Sequence, residues 1–184
     1  MLPFIPVAII GTAIYGLYRY FNPAQVTGGD VQSTQDNAPV NQEPSVTDLF
    51  PKAAPYADAI DSAQNKYGIP SNFLAKLLNA ESAFRADIIE GKKRSSVGAT
   101  GIAQLMPTTA ADLGVNPLDP IASIDGAGRY LSQLYDKFGT WEKAIAAYNW
   151  GPGNVERKGL AKAPAETVNY VQKIAGVDIT QTGA

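Results

Sequence analysis

From Ala53 to Ala175 apolar residues recur every three to four positions, and they scarcely ever alternate singly as a half-buried strand requires. That pattern admits helices and little else. Glycine and proline divide it into pieces. A first amphipathic helix is predicted from Pro55 to Tyr67, with Ile60 and the alanines inward and Gly68 ending it. Pro70 opens the next, where Leu74, Leu77 and Leu78 share a face. Pro107 begins a short helix that Gly114 closes. Asp119-Pro120 leads into a long helix through Phe138, with Ile124, Tyr130, Leu131, Leu134 and Tyr135 on its inner side. Helices from Trp141 to Tyr148 and from Ala165 to Ala175 complete the set. No internal repeat is visible.

The start of the chain reads differently. Residues 2–21 are nearly all apolar up to Arg19, and the run from Ile5 to Phe21 is close to the lower length for crossing a bilayer. Tyr15, Tyr18 and Tyr20 gather near one end, as in an interfacial aromatic belt. Residues 1–21 are therefore expected to be a single membrane anchor. A cleaved signal peptide and a helix buried against a partner protein are the competing readings. The signal peptide fits less well, because no basic residue precedes the run and no small-x-small site follows it. Residues 22–52 are rich in Pro, Gly, Gln, Asn, Ser, Thr and Asp and read as a polar linker. Residues 53–178 are left for one mainly α domain, and 179–184 for a tail.

Composition narrows the chemistry. The chain has 184 residues, a formal net charge of -2, no cysteine and no histidine. Thiol catalysis, cysteine-ligated zinc, serine triads with histidine and histidine-based zinc hydrolysis are excluded. No cofactor and no metal are expected, since no dense acidic loop suggests an oxygen-ligated cation. The charge balance gives no reason to expect nucleic acid as a partner. Acid–base work near neutral pH falls to a carboxylate, lysine or tyrosine.

Glu81 follows Leu77 by one helical turn and Leu74 by two, so it projects from the apolar face. Lost hydration there raises a carboxyl pKa and fits it to donate a proton. A helix-end glutamate that reaches back to solvent has the same spacing. Asn149-Trp150-Gly151-Pro152-Gly153 reads as a sharp turn that brings Tyr148 and Asn149 to a cleft, or as an ordinary helix stop. Gln104 and Met106 either line that cleft or act as a cap residue and a core filler. Glu166 and Tyr170 are four apart on one helical face, which places the phenol beside a buried carboxylate or simply in the core. Lys92, Lys93 and Arg94 belong to a solvated loop, with contact to acidic groups of a polymer as the alternative.

Four of these segments, in order, resemble the family 1 lytic transglycosylases, whose domain has a goose-lysozyme-like helical fold. They are Glu81-Ser82, the run Gly101-Ile102-Ala103-Gln104-Leu105-Met106-Pro107, the run Ala147-Tyr148-Asn149-Trp150-Gly151-Pro152-Gly153, and Glu166-Thr167-Val168-Asn169-Tyr170-Val171. The likeness covers about residues 55 to 175. It implies cleavage of the bond between N-acetylmuramic acid and N-acetylglucosamine in peptidoglycan. Glu81 would be sole acid and base, and the muramoyl C6 hydroxyl the nucleophile. It also implies that Tyr170 hydrogen-bonds the catalytic carboxylate and that Gln104, Met106, Tyr148 and Asn149 line the glycan groove. Ser82 and Ser95 would support the site, Ser95 by touching an N-acetyl or peptide group, and Glu166 would be a structural buried acid. The chain departs from the family pattern in a longer stretch around IIEGKKRSS, in Ala103 before the motif glutamine, and in Trp150 after the asparagine.

The anchor, the short chain and the likeness together suggest a phage virion enzyme that opens the wall locally during genome entry, in contact with other virion proteins. A wall-remodelling enzyme of a conjugation or secretion system in the bacterial envelope is the alternative, as are a goose-type hydrolytic muramidase and a weakly catalytic glycan-binding subunit.

Overall fold

A computed structural model describes residues 43–180 of the chain. The expected anchor at 1–21, and the linker up to residue 42, lie outside the described residues. Among the described residues no helix is long and apolar enough to cross a membrane.

The described residues are helical, with one isolated bridge between Thr100 and Leu105 in place of any sheet. In chain order the α-helices are α1 (Val46–Leu49), α2 (Ala57–Lys66), α3 (Phe73–Ser82), α4 (Ala86–Ile89), α5 (Pro107–Leu113), α6 (Pro120–Phe138), α7 (Trp141–Trp150), α8 (Pro152–Lys158) and α9 (Ala165–Ala175). Short 3-10 turns span Pro51–Tyr56 and Leu160–Lys162.

The hub is α7. Ala144, Ile145, Ala146 and Ala147 are all fully buried, so the central turn of this helix is apolar all round and enclosed by neighbours. It packs against α6, α8 and α9. Its N-terminus is fixed by Thr140, whose hydroxyl accepts from Lys143 N. Stacked Tyr135 and Trp141, with Phe73 edge-on to the indole, join α6, α7 and α3.

The long helix α6 starts where its sequence says it must. Asp119 accepts from Ile121 N and Ala122 N, Pro120 needs no donor partner at the first position, and Gly139 closes the helix at φ 77°. Gly128 lets α6 approach α2 closely, since a Cβ there would sit 3.0 Å from the Tyr67 ring and 3.3 Å from Ala63. In α3, Leu74, Leu77 and Leu78 are fully buried. Each such side chain contributes about 2 kcal/mol of transfer free energy, which orients the helix and with it Glu81.

Three boundaries differ from the sequence expectation. Residues 43–52, expected to end a polar linker, fold onto the domain. Ser45 and Asp48 form a reciprocal capping box, Val46 is 2% exposed, and Asn72 Nδ2 donates to Pro44 O at 3.1 Å. The tail expected from 179 begins with a core residue, because Ile179 is 1% exposed. Asn149 to Gly153 is a junction as well as a stop: Gly151 turns the chain and Pro152 opens α8 at once.

Candidate active site

Glu81 is the penultimate residue of α3, and the chain reverses directly behind it. Ser82 Oγ donates to Leu78 O at 3.1 Å and accepts from Phe84 N at 3.2 Å. Ala83 and Phe84 then both take left-handed conformations, at φ 50° and 51°. Such residues cost about 1–3 kcal/mol each. The offset comes from Phe84, whose ring is buried against Tyr56 and Phe50. The turn ends the helix abruptly and leaves Glu81 half-buried at its mouth.

The Glu81 carboxyl has one hydrogen bond among the described residues. Tyr170 Oη donates to Oε1 at 2.5 Å, which leaves Oε2 free to carry a proton. Burial raises the pKa of Glu81 to about 7; the Tyr170 bond pulls the other way, and the Glu166 charge adds to the rise. Burial, and then the field of Glu81 itself, push the phenols of Tyr148 and Tyr170 well above the ordinary tyrosine range. Both stay neutral donors, so Glu81 is the one group here poised to exchange a proton near neutral pH.

The loop from Thr100 to Met106 is tied to this group through Tyr148, which feels the Glu81 charge and bonds the loop. Gly101 sits at φ 78°, and a Cβ there would fall 1.8 Å from Pro117 O, so only glycine fits. Gln104 is also left-handed, at φ 46°, with its Nε2 donating to Gly101 O at 2.9 Å. Tyr148 reaches across from α7 and donates to Ala103 O at 2.9 Å. That bond ties the loop to the helix, and the Tyr148 ring rests against Tyr130 with centroids 5.5 Å apart. Met106 closes the loop and is 39% exposed.

The residues singled out from sequence thus fall into groups. Glu81, Tyr148 and Tyr170 come together, with Glu166 near enough for its charge to be felt. Asn149 makes no hydrogen bond to Glu81; its Oδ1 accepts from Thr167 Oγ1 at 2.7 Å and locks α7 to α9. Gln104 and Met106 share the loop wall. Ser82 is 1% exposed and shapes the reversal, so it has no surface for a substrate. Ser95 Oγ accepts from Ala99 N at 2.8 Å and holds a neighbouring loop. Glu166, expected to be buried, is exposed on the first turn of α9; only its i+4 partner Tyr170 faces inward. Sequence reasoning passed over Thr167 and the Ala103 carbonyl. Thr167 lies within the same six-residue run as Glu166 and Tyr170, which was the available signal; the carbonyl had none.

The described residues thus form a mainly helical domain of the lysozyme-like type, in which a half-buried carboxyl with a raised pKa lies beside two neutral phenols. The chain belongs to the Transglycosylase SLT domain family, which it matches over residues 58–171. It is 31% identical over 118 residues to the transglycosylase of Enterobacteria phage PRD1, covering 64% of this chain and 40% of that protein. It is also 31% identical over 138 residues to the soluble lytic murein transglycosylase of Escherichia coli K12, covering 68% and 20%. With the membrane-bound lytic murein transglycosylase F of Stutzerimonas stutzeri the identity is 34% over 110 residues, covering 55% and 21%. Among solved structures, the 70 kDa soluble lytic transglycosylase of Escherichia coli superposes with a TM-score of 0.57 at 28% identity, over 70% of this chain and 24% of that one. An inactive form of lytic transglycosylase Slt from Pseudomonas aeruginosa gives 0.56 at 29%, over the same shares. The chain therefore spans less than half the length of each of these relatives.

Proposed function

We propose that this chain is a peptidoglycan lytic transglycosylase in which Glu81 acts first as acid and then as base. The observation that carries the reading is a half-buried glutamate with a pKa of about 7, hydrogen-bonded by a neutral tyrosine. The family and the names of its relatives supply the substrate class.

The protonated carboxyl gives its proton to the oxygen joining N-acetylmuramic acid C1 to the next sugar. The C1–O bond breaks and the released sugar keeps that proton as a hydroxyl. Positive charge developing at C1 is offset by the new Glu81 carboxylate, which Tyr170 steadies by its hydrogen bond. The muramoyl C6 hydroxyl attacks C1 and hands its proton to Glu81, which returns to its starting state. The product is a 1,6-anhydro ring. No water is consumed, so no second carboxylate has to position one, in contrast to glycosidases with a paired acid and base. Gln104, Met106, Tyr148 and Asn149 form or support the wall along which the glycan lies.

The setting is part of the proposal. The phage relative supports a virion enzyme that opens the wall locally, and the membrane-bound relatives support residues 1–21 as an anchor joined by a polar tether to the catalytic domain. Digestion of purified sacculi with mass analysis of the released muropeptides tests the chemistry. Anhydromuramoyl ends are expected; reducing ends would show a hydrolase instead, and no release would end the reading.

A further inference from the structure

Resting on the proposed function, we infer that the loop from Glu90 to Gly98 is a docking site for the carboxylates of the peptides carried by the glycan, with Lys93 and Arg94 as its contacts.

The loop is held rather than loose. Lys93 N donates to Asp87 O at 2.9 Å, Ser95 N to Ala99 O at 3.2 Å, and Gly98 N to Ser95 O at 3.1 Å. Gly91 lies against Leu118, and Gly98 faces the Pro107 ring. Ser95 and Ala99 lead straight into Thr100, the start of the loop that Tyr148 holds. The loop is thus continuous with the proposed groove, and little backbone entropy remains to be lost when it meets a ligand.

Its charge runs against that of the chain. The segment carries three basic residues and one acidic, whereas the whole chain has a net charge of -2. Lys92 is engaged by Glu90 at 2.5 Å. The Asp87 carboxylate, which feels the Lys93 charge, is held by both Arg85 Nε and Nη2. Lys93 and Arg94 are exposed and form no ion pair among the described residues. Val97, in the same loop, is 68% exposed, the most exposed large hydrophobic residue described. Two unpaired cations and an apolar side chain beside a glycan groove match a short peptide that bears free carboxylates and small apolar side chains.

The test is co-sedimentation of the full chain with purified sacculi. All forms carry Glu81→Gln so that strands remain intact. Lys93→Gln/Arg94→Gln is compared with its parent and with a charge-matched control, Lys52→Gln/Lys162→Gln. Binding is measured on untreated sacculi and on sacculi whose carboxyls have been coupled to methylamine. Weakening of roughly five- to tenfold is expected for the loop pair on untreated sacculi, with the control unchanged and the difference abolished on coupled sacculi. Equal binding by all forms, an equal loss in the control, or a loss that persists on coupled sacculi would overturn the proposal. So would a loss seen on anionic lipid vesicles and not on sacculi. Muropeptide release by the Glu81→Gln parent would instead count against the catalytic reading, and the binding comparison would still stand.

Discussion

Tyr170 on α9 and Glu81 on α3 are 89 residues apart in sequence, and the phenol of the first donates to Oε1 of the second at 2.5 Å. The bond favours the charged carboxylate while burial disfavours it more strongly. A pKa of about 7 is the balance, and proton donation followed by proton recovery needs both sides of it.

Tyr170→Phe removes the side that lowers the pKa. The Glu81 pKa should rise above 7, and the alkaline limb of the pH–rate profile should move up with it. Turnover should fall about tenfold at its optimum, because the carboxylate left after donation has lost its hydrogen bond. A loss of rate with the limb unmoved would mean that the tyrosine only packs.

Glu166→Gln acts in the opposite direction. Removing the nearby negative charge should lower the Glu81 pKa and shift the same limb to lower pH. Glu166 is exposed, so unfolding free energy should change by no more than about 0.5 kcal/mol. Urea titration and the pH–rate profile read the two effects separately.

The raised pKa costs stability. Below the ordinary glutamate value of 4.5 the carboxyl is neutral in both states and there is no penalty. As pH rises from 4.5 through 7 the unfolded chain ionises freely while the folded one resists, so stability is lost across that window and levels off above it. The loss should approach about 3 kcal/mol. Glu81→Gln keeps an acceptor for Tyr170 and has nothing to ionise. Its stability advantage over the wild type should therefore grow by that amount across the window, as read by urea unfolding at several pH values.

Gly101→Ala tests the loop wall. The added carbon meets Pro117 O and the backbone is left-handed, so the folded state should lose about 3 kcal/mol or more. Gly114→Ala has open space and a similar φ, and should cost much less. Thermal unfolding of the two variants separates the close contact from the backbone strain.

What could be read in the sequence follows from where the information is local. Helix α6 begins and ends as expected because Asp119, Pro120 and Gly139 each act on their own backbone. Glu81 follows from its spacing to Leu74 and Leu77, which puts it on the buried face. The four-residue helices α1 and α4 are too short to show a period, although the Ser45–Asp48 capping box marks the first. Pro152 lies just past the end of α7, as the sequence implies, and also opens α8, since proline at a first helical position suits either side of a junction. Glu166 is exposed because α9 turns its i+4 neighbour, not Glu166 itself, toward the core. The left-handed pair Ala83–Phe84 has no local signature; it exists because an aromatic cluster from distant residues holds Phe84 in place. The meeting of Tyr170 with Glu81 is likewise tertiary, and was legible only through the family resemblance.

The most direct measurement is the titration of the Glu81 carboxyl itself, by carbon-detected NMR on side-chain-labelled protein, with the resonance assigned from its absence in Glu81→Gln. A midpoint near 7 is expected. A midpoint near 4.5, the value of a solvated glutamate, would contradict a buried acid at the centre of the site.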